Sequence, residues 1–217
     1  GGVFMKSELK FPDAINLAMR KEMETDPTVF AFGVDVQDHK RSFGSGFGMV
    51  ERFGINRYFG SPLSEAGVTG VAIGAAFCGL RPIHIHARAD FALMAMNQLV
   101  NMASNKSYLS NGKLKVPLVV RAMIGRSWGQ GAQHSKTLHS TLAHFPGLKV
   151  VLPASPQDGY SLLRSAIQDD NPVIFLEHRW LYDLVGEVDD ELEIPLSSSK
   201  ILRSGNDMTI VSCSWMT

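Results

Sequence analysis

The amino-acid sequence predicts an α/β protein of three layers, α/β/α, built on a mostly parallel sheet. Three observations lead there. Short apolar runs recur between longer stretches of helical periodicity. One run, VPLVVRAMI (116–124), is apolar almost without interruption, as a strand covered on both faces must be. The 217 residues are 45% hydrophobic and 19% charged, enough apolar material for a large core.

In chain order, FPDAINLAMRKEMETD (11–26) reads as a helix, with Pro12 near its start and Ile15, Ala18, Met19 and Met23 at helical spacing. TVFAFGVDV (28–36) has strand character. A glycine-rich loop, SFGSGFG (42–48), precedes a short helix near 47–53. The next helix is expected from about Ser64 to Phe77, ending at Gly79. Its Ala66, Gly70 and Gly74 line one face and permit close backbone approach. RPIHIHA (81–87) reads as a strand, and DFALMAMNQLVNMASNKSYLS (90–110) as one long helix with Asp90 as N-cap. Beyond the 116–124 strand come the strand LKVVLP (148–153), the helix SPQDGYSLLRSAIQDD (155–170) and the strand NPVIFLE (171–177). These elements place one domain over 1–186. An acidic, then serine-rich stretch makes 187–206 an expected linker, and DMTIVSCSWMT (207–217) is expected to open a second domain with a fresh strand.

Lys and Arg number 21, matching 21 Asp and Glu, so no net charge draws the chain to nucleic acid or to an anionic membrane. Arg81, Lys115 and Lys149 interrupt the apolar runs, so no membrane span is expected. The opening GGVFMKSELK lacks the charged-then-apolar pattern of a leader. Two distant cysteines, Cys78 and Cys213, suit a reducing compartment, the cytoplasm or an organelle matrix.

Four places could carry chemistry. Glu65 stands at the front of an apolar helix, where the helix dipole favours an anion; it is either a helix-start charge or a reagent. The loop IGRSWGQGAQHS (124–135) follows a buried strand and leads to His134 and Ser135, either in a ligand crevice or on the surface. His84 and His86 share one face of a strand, with capping hydrogen bonds or solvent contact expected ahead of metal binding. GSGFG (44–48) lacks the third glycine of a dinucleotide fingerprint and the lysine of a P-loop.

The segments TVFAFGVDV, FGSPLSEAGVTGVAIGAAFCGLRPI, ADFALMAMNQLVN, VPLVVRA, GAQHS, HFPGLKVVLPASPQDGYSLLRSAIQDDNPVIFLE and DMTIVS stand in an order that resembles a known family. It is the beta subunit of the thiamin-diphosphate-dependent 2-oxo acid dehydrogenases, of pyruvate, branched-chain or acetoin type, in the transketolase-like superfamily. The resemblance covers nearly all of 11–216. It implies the pyrimidine-domain fold, with 207–217 as the first strand of a truncated C-terminal transketolase-like domain. It implies that Glu65 hydrogen-bonds a ring nitrogen of the cofactor's aminopyrimidine, that Phe91 stacks on that ring, and that His134 stands near substrate and lipoyl group. It implies a potassium ion on the main-chain carbonyls of Leu118, Ala166, Ile167, Asp169 and Asn171. Magnesium and the diphosphate fall to a partner alpha subunit. Beta chains pair with one another within a heterotetramer, and a lipoyl acyltransferase takes the acyl group. The chain departs from the family pattern at Val34, His84, His86 and Arg88. Two other readings are a transketolase-like or deoxyxylulose-phosphate-synthase-like enzyme acting on sugar phosphates, and a catalytically silent dimerising scaffold.

Overall fold

A computed structural model describes residues 6–38 and 42–217 of the chain. In order, it contains β1 (Lys6–Lys10), α1 (Phe11–Thr25), β2 (Val29–Gly33), α2 (Met49–Phe53), β3 (Tyr58–Gly60), α3 (Glu65–Phe77), β4 (Arg81–His86) and α4 (Ala89–Ala92). There follow α5 (Ser104–Leu109), β5 (Val119–Ile124), α6 (His139–Ala143), β6 (Lys149–Val151), α7 (Pro156–Gln168), β7 (Val173–His178) and β8 (Val185–Asp189).

Six strands form one parallel sheet in the order β3-β2-β4-β5-β7-β6. Successive side chains point to opposite faces, and both faces are apolar. Ile83, Ile85, Val119, Met123, Val173 and Phe175 join Ile15, Met19 and Leu163 of α1 and α7 in one core. Phe32, Val120, Ala122, Ile174 and Leu176 join Ala72, Ile73 and Leu99 in the other. These are the expected three layers. The chain leaves β2 for β3 on one side and β4 for β5 on the other, so connections diverge between β2 and β4. A crevice opens outside the carboxyl ends of strands at such a divergence. Gly33 ends β2 there, and a Cβ on it would sit 2.1 Å from the Ile85 carbonyl oxygen, so only glycine lets the two strands approach.

The expected long helix over 90–110 is not one helix. It is α4, a 3₁₀ turn at Leu93–Ala95, a π-helix at Asn97–Ala103 and α5. The Ser104 hydroxyl donates to the Val100 carbonyl at 2.6 Å, within the wide turn. Asp90 is not the N-cap either. Arg88 holds that position without a side-chain cap, and the Asp90 carboxylate turns to Lys136 instead.

Two corrections concern the carboxyl-terminal part. β8 pairs antiparallel with β1, matching Lys6 to Asp189 and Lys10 to Val185, and Val188 is fully buried. The start of the expected linker is therefore a strand held by the chain's own first strand. The strand expected over 207–217 does not form: 207–213 have no repetitive structure and Ser214–Met216 make a 3₁₀ turn. A strand needs a neighbour for its amides and carbonyls, and among the described residues none pairs with this segment.

Candidate active site

Three of the parallel strands deliver the candidate groups from their carboxyl ends. Glu65 is the first residue of α3, four positions beyond the Ser61 that follows β3. Phe91 lies in α4, just past β4, and His134 ends a 3₁₀ turn in the loop after β5. All three side chains are partly exposed, as groups that meet a ligand must be. Phe91 and His134 are in contact, ring centroids 5.3 Å apart and planes perpendicular. Glu65 has no hydrogen-bond or ion-pair partner among the described residues. Its placement at a helix start keeps both sequence readings of it, helix-start charge and reagent.

The loop carrying His134 is pinned by specific contacts. Gly125 has φ 111°, and a Cβ there would fall 2.6 Å from His178 Nε2 and 2.8 Å from Trp128. Ser127 adopts φ 78° without being glycine, a strained conformation of the kind found at sites. The Ser135 hydroxyl donates to the Gly131 carbonyl at 2.7 Å. Lys136 donates from Nζ to Asp90 Oδ1 at 3.0 Å and to the Ala132 carbonyl at 2.9 Å, while its amide donates to Asp90 Oδ2 at 3.3 Å. Asp90 therefore ties the helix bearing Phe91 to the loop bearing His134.

A second tie runs through Arg88. Its Nε donates to Gln130 Oε1 at 3.0 Å, Nη2 donates to the same oxygen, and Nη1 donates to the Ala87 carbonyl at 3.0 Å. Trp128 Nε1 donates to Gln130 as well, at 3.1 Å. Sequence reasoning noted Arg88 as a departure and missed Asp90, Gln130 and Lys136 as supports. The available signal was charge in a strand-to-helix turn that is otherwise apolar.

His84 and His86 correct an expectation. Both are buried, 2% and 4% exposed. His84 stacks on Phe32 at 4.8 Å, and its Nδ1 lies 3.2 Å from the Thr69 hydroxyl. His86 Nε2 has no partner among the described residues. Burial drives the His84 imidazole down to about 2, helped by its neighbour His86, and burial alone drives His86 down to about 4. Both are neutral core side chains. Among the described residues no group of three or more His, Cys, Asp or Glu is arranged to hold a metal.

Four of the five carbonyls implied for potassium already accept hydrogen bonds. Arg81 Nη1 donates to the Ile167 and Asp169 carbonyls at 3.0 and 3.1 Å, a fixed cation where a free one was expected. The Leu118 carbonyl accepts from the Val173 amide, and the Ala166 carbonyl from the Asp169 amide. Asn171 donates from its amide and its side chain to Asp169 Oδ1. The GSGFG loop is also structural. The Asn16 side chain donates to the Ser45 and Phe47 carbonyls at 2.9 Å, and Ser45 is fully buried.

Known proteins agree with this architecture. A family model described as the pyrimidine binding domain of transketolase matches residues 7–184. The beta subunit of 2-oxoisovalerate dehydrogenase from Bacillus subtilis is 40% identical over 208 residues, covering 95% of this chain and 64% of that protein. The pyruvate dehydrogenase E1 component subunit beta of Rickettsia felis is 41% identical over 203 residues, covering 93% of this chain and 62% of its own length. The mitochondrial pyruvate dehydrogenase E1 subunit beta-2 of Oryza sativa is 38% identical, with 96% of this chain and 57% of that protein covered. The chain thus spans roughly three fifths of the length of these relatives. A solved structure described as a split-gene transketolase, inactive beta4 tetramer, shares the fold at a TM-score of 0.74 and 20% identity, over 96% of this chain and 64% of that one. With the family model matching most of its residues, the chain belongs to the transketolase pyrimidine-binding domain family.

Proposed function

We propose that this chain supplies the pyrimidine side of a thiamin diphosphate site in the decarboxylating component of a 2-oxo acid dehydrogenase complex. The observation that carries the reading is the contact of Phe91 with His134 in the segments after β4 and β5, with Glu65 following β3 at the same carboxyl edge of the sheet, beside the divergence of connections between β2 and β4. The residues fit such a cofactor: a half-exposed ring face, a histidine edge-on to it, and a carboxylate free of protein partners. When bound, thiamin diphosphate supplies the carbanion and electron sink that decarboxylation of a 2-oxo acid requires.

Each residue then has a task. Phe91 offers its face to a flat heteroaromatic ring and orients it. Glu65 is placed to share a proton with a ring nitrogen of the cofactor. His134, braced through Lys136 and Asp90, holds a proton near the reacting acid. An alpha subunit supplies magnesium and diphosphate binding, beta chains pair within a heterotetramer, and a lipoyl acyltransferase receives the acyl group. Exposed Val71, Phe77, Met94 and Met102 on α3 and the segment after α4 support a face covered by another chain. A bacterial cytoplasm or an organelle matrix is the matching compartment. No described helix is long and apolar enough to cross a membrane.

Calorimetry of thiamin diphosphate against the full-length chain, alone and with its alpha partner, tests the reading. Tight binding is expected only in the assembled pair. Glu65→Ala should lower turnover about 100-fold or more, as loss of a positioned proton-transfer group does. Undiminished turnover in that variant would remove the role given to Glu65.

A further inference from the structure

We infer that Arg88 and Arg179 form a carboxylate-recognition pair beside this site, selecting a 2-oxo acid that carries a second carboxylate on its acyl chain. The substrate class rests on the decarboxylase reading above; the pair itself does not.

Arg88 is only 3% exposed, yet every acceptor it meets is neutral: Gln130 Oε1, the Ala87 carbonyl and Met123 Sδ. One of its two Nη2 protons is left without an acceptor. Its guanidinium lies 5.2 Å from the Phe43 ring and 5.5 Å from the Trp128 ring. Arg179 follows β7 and is half-buried, 5.4 Å from the same Phe43 ring and 5.2 Å from that of Tyr182. Among the described residues Arg179 donates no hydrogen bond, and neither arginine has an ion-pair partner. Burial first, and then the charge of Arg179, push Arg88 below its ordinary range. Two cations are thus held by aromatic faces in a partly dry place; Asp90 acts on Arg88 through space, but its carboxylate is engaged by Lys136.

A buried charge without a partner is costly, so an arriving anion relieves both residues at once. The planar fork of a guanidinium matches a carboxylate. Position places the pair on the substrate side: Arg88 immediately precedes the helix of Phe91, and its acceptor Gln130 belongs to the loop of His134. The anion is not the carboxylate that leaves as carbon dioxide. Holding that group between two cations would stabilise the ground state and slow its loss. The pair reads a carboxylate that survives the reaction.

The test compares kcat/KM of the assembled full-length complex for a 2-oxo monocarboxylic and a 2-oxo dicarboxylic acid of equal carbon count. Wild type should prefer the dicarboxylic acid. Arg179→Gln should cut that preference about tenfold to 100-fold, and Arg179→Lys by less. A wild-type preference for the monocarboxylic acid, or a ratio unmoved in Arg179→Gln, overturns the pair and leaves the decarboxylase reading standing. Trp128 over Arg88 gives an independent readout in the chain alone: glutarate should change tryptophan emission in wild type and not in Arg179→Gln. If no 2-oxo acid turns over but this glutarate response persists, the decarboxylase reading falls and the pair stands. Inorganic phosphate matching glutarate in an Arg179-dependent response would overturn the carboxylate assignment, as would no response to either.

Discussion

Arg121 within β5 and Arg88 just beyond β4 are both buried arginines on neighbouring strands, and they differ in company. Arg121 is gripped by Glu177 at two points, Nε to Oε1 at 2.6 Å and Nη2 to Oε2 at 2.9 Å. The Tyr182 hydroxyl adds a hydrogen bond to Glu177 Oε2 at 2.5 Å. Burial opposes charge on Arg121, but the Glu177 carboxylate outweighs it and holds the guanidinium above its ordinary range. Burial likewise pushes Tyr182 well above 10, so its hydroxyl remains a donor. Arg88 hydrogen-bonds no carboxylate, only neutral acceptors, and lies against ring faces. A neutralised buried pair is finished architecture, whereas a charge left open is arranged for something that arrives later.

The largest expected effect lies on the closed side of this comparison. Glu177→Gln leaves Arg121 buried and uncompensated, and it should cost about 3–5 kcal/mol in chemical denaturation. The double variant Arg121→Met with Glu177→Leu should cost less than that single change, because no lone charge remains. A double variant as damaging as the single one would mean that packing rather than charge dominates there.

The next effect concerns acid. His84 and His86 are neutral in the fold, with imidazoles lowered to about 2 and about 4, against about 6.5 in the unfolded chain. The unfolded state therefore binds more protons below about pH 6.5. Stability is fully present above that value and falls as pH drops through the interval toward the folded values. Each histidine should contribute a slope of about 1.4 kcal/mol per pH unit between about pH 6 and 4.5. His86→Phe should remove one such slope, read as denaturation midpoints across that range. An unchanged slope would mean that His86 finds a partner that restores its proton.

Legibility of the molecule follows from where its information is local. β4, β5 and β7 were read within a few residues, because strands buried on both faces leave unbroken apolar runs such as VVRAMI. β1 and β8 were missed for the opposite reason. KSELK alternates exposed and partly buried residues, and it is a strand only because Val185–Asp189 lies beside it. The π-helix at Asn97–Ala103 escaped because a shift of hydrogen-bond partner by one residue keeps the apolar pattern nearly intact. Phe91 entered through the family resemblance, whereas His134 stood out in its loop beforehand, and their contact then emerged from the fold. Arg88 and Arg179 could not be paired from sequence, since their shared neighbour Phe43 comes from a third, distant loop.

The smallest expected effect is the sharpest test of the contrast. Arg88→Met removes a charge that the fold does not neutralise, and it retains most of the side-chain length that fills the space between Phe43 and Trp128. What is lost is hydrogen bonding to Gln130 and the Ala87 carbonyl; what is relieved is a desolvated cation repelled by Arg179. These terms oppose one another, so the net change in stability should stay within about 1 kcal/mol. Arg121→Met, by contrast, strands the Glu177 carboxylate and should cost several times more. Denaturation of the two variants side by side measures the difference directly. Equal losses would place Arg88 among the fold's structural charges and remove the reason to expect an anion beside it.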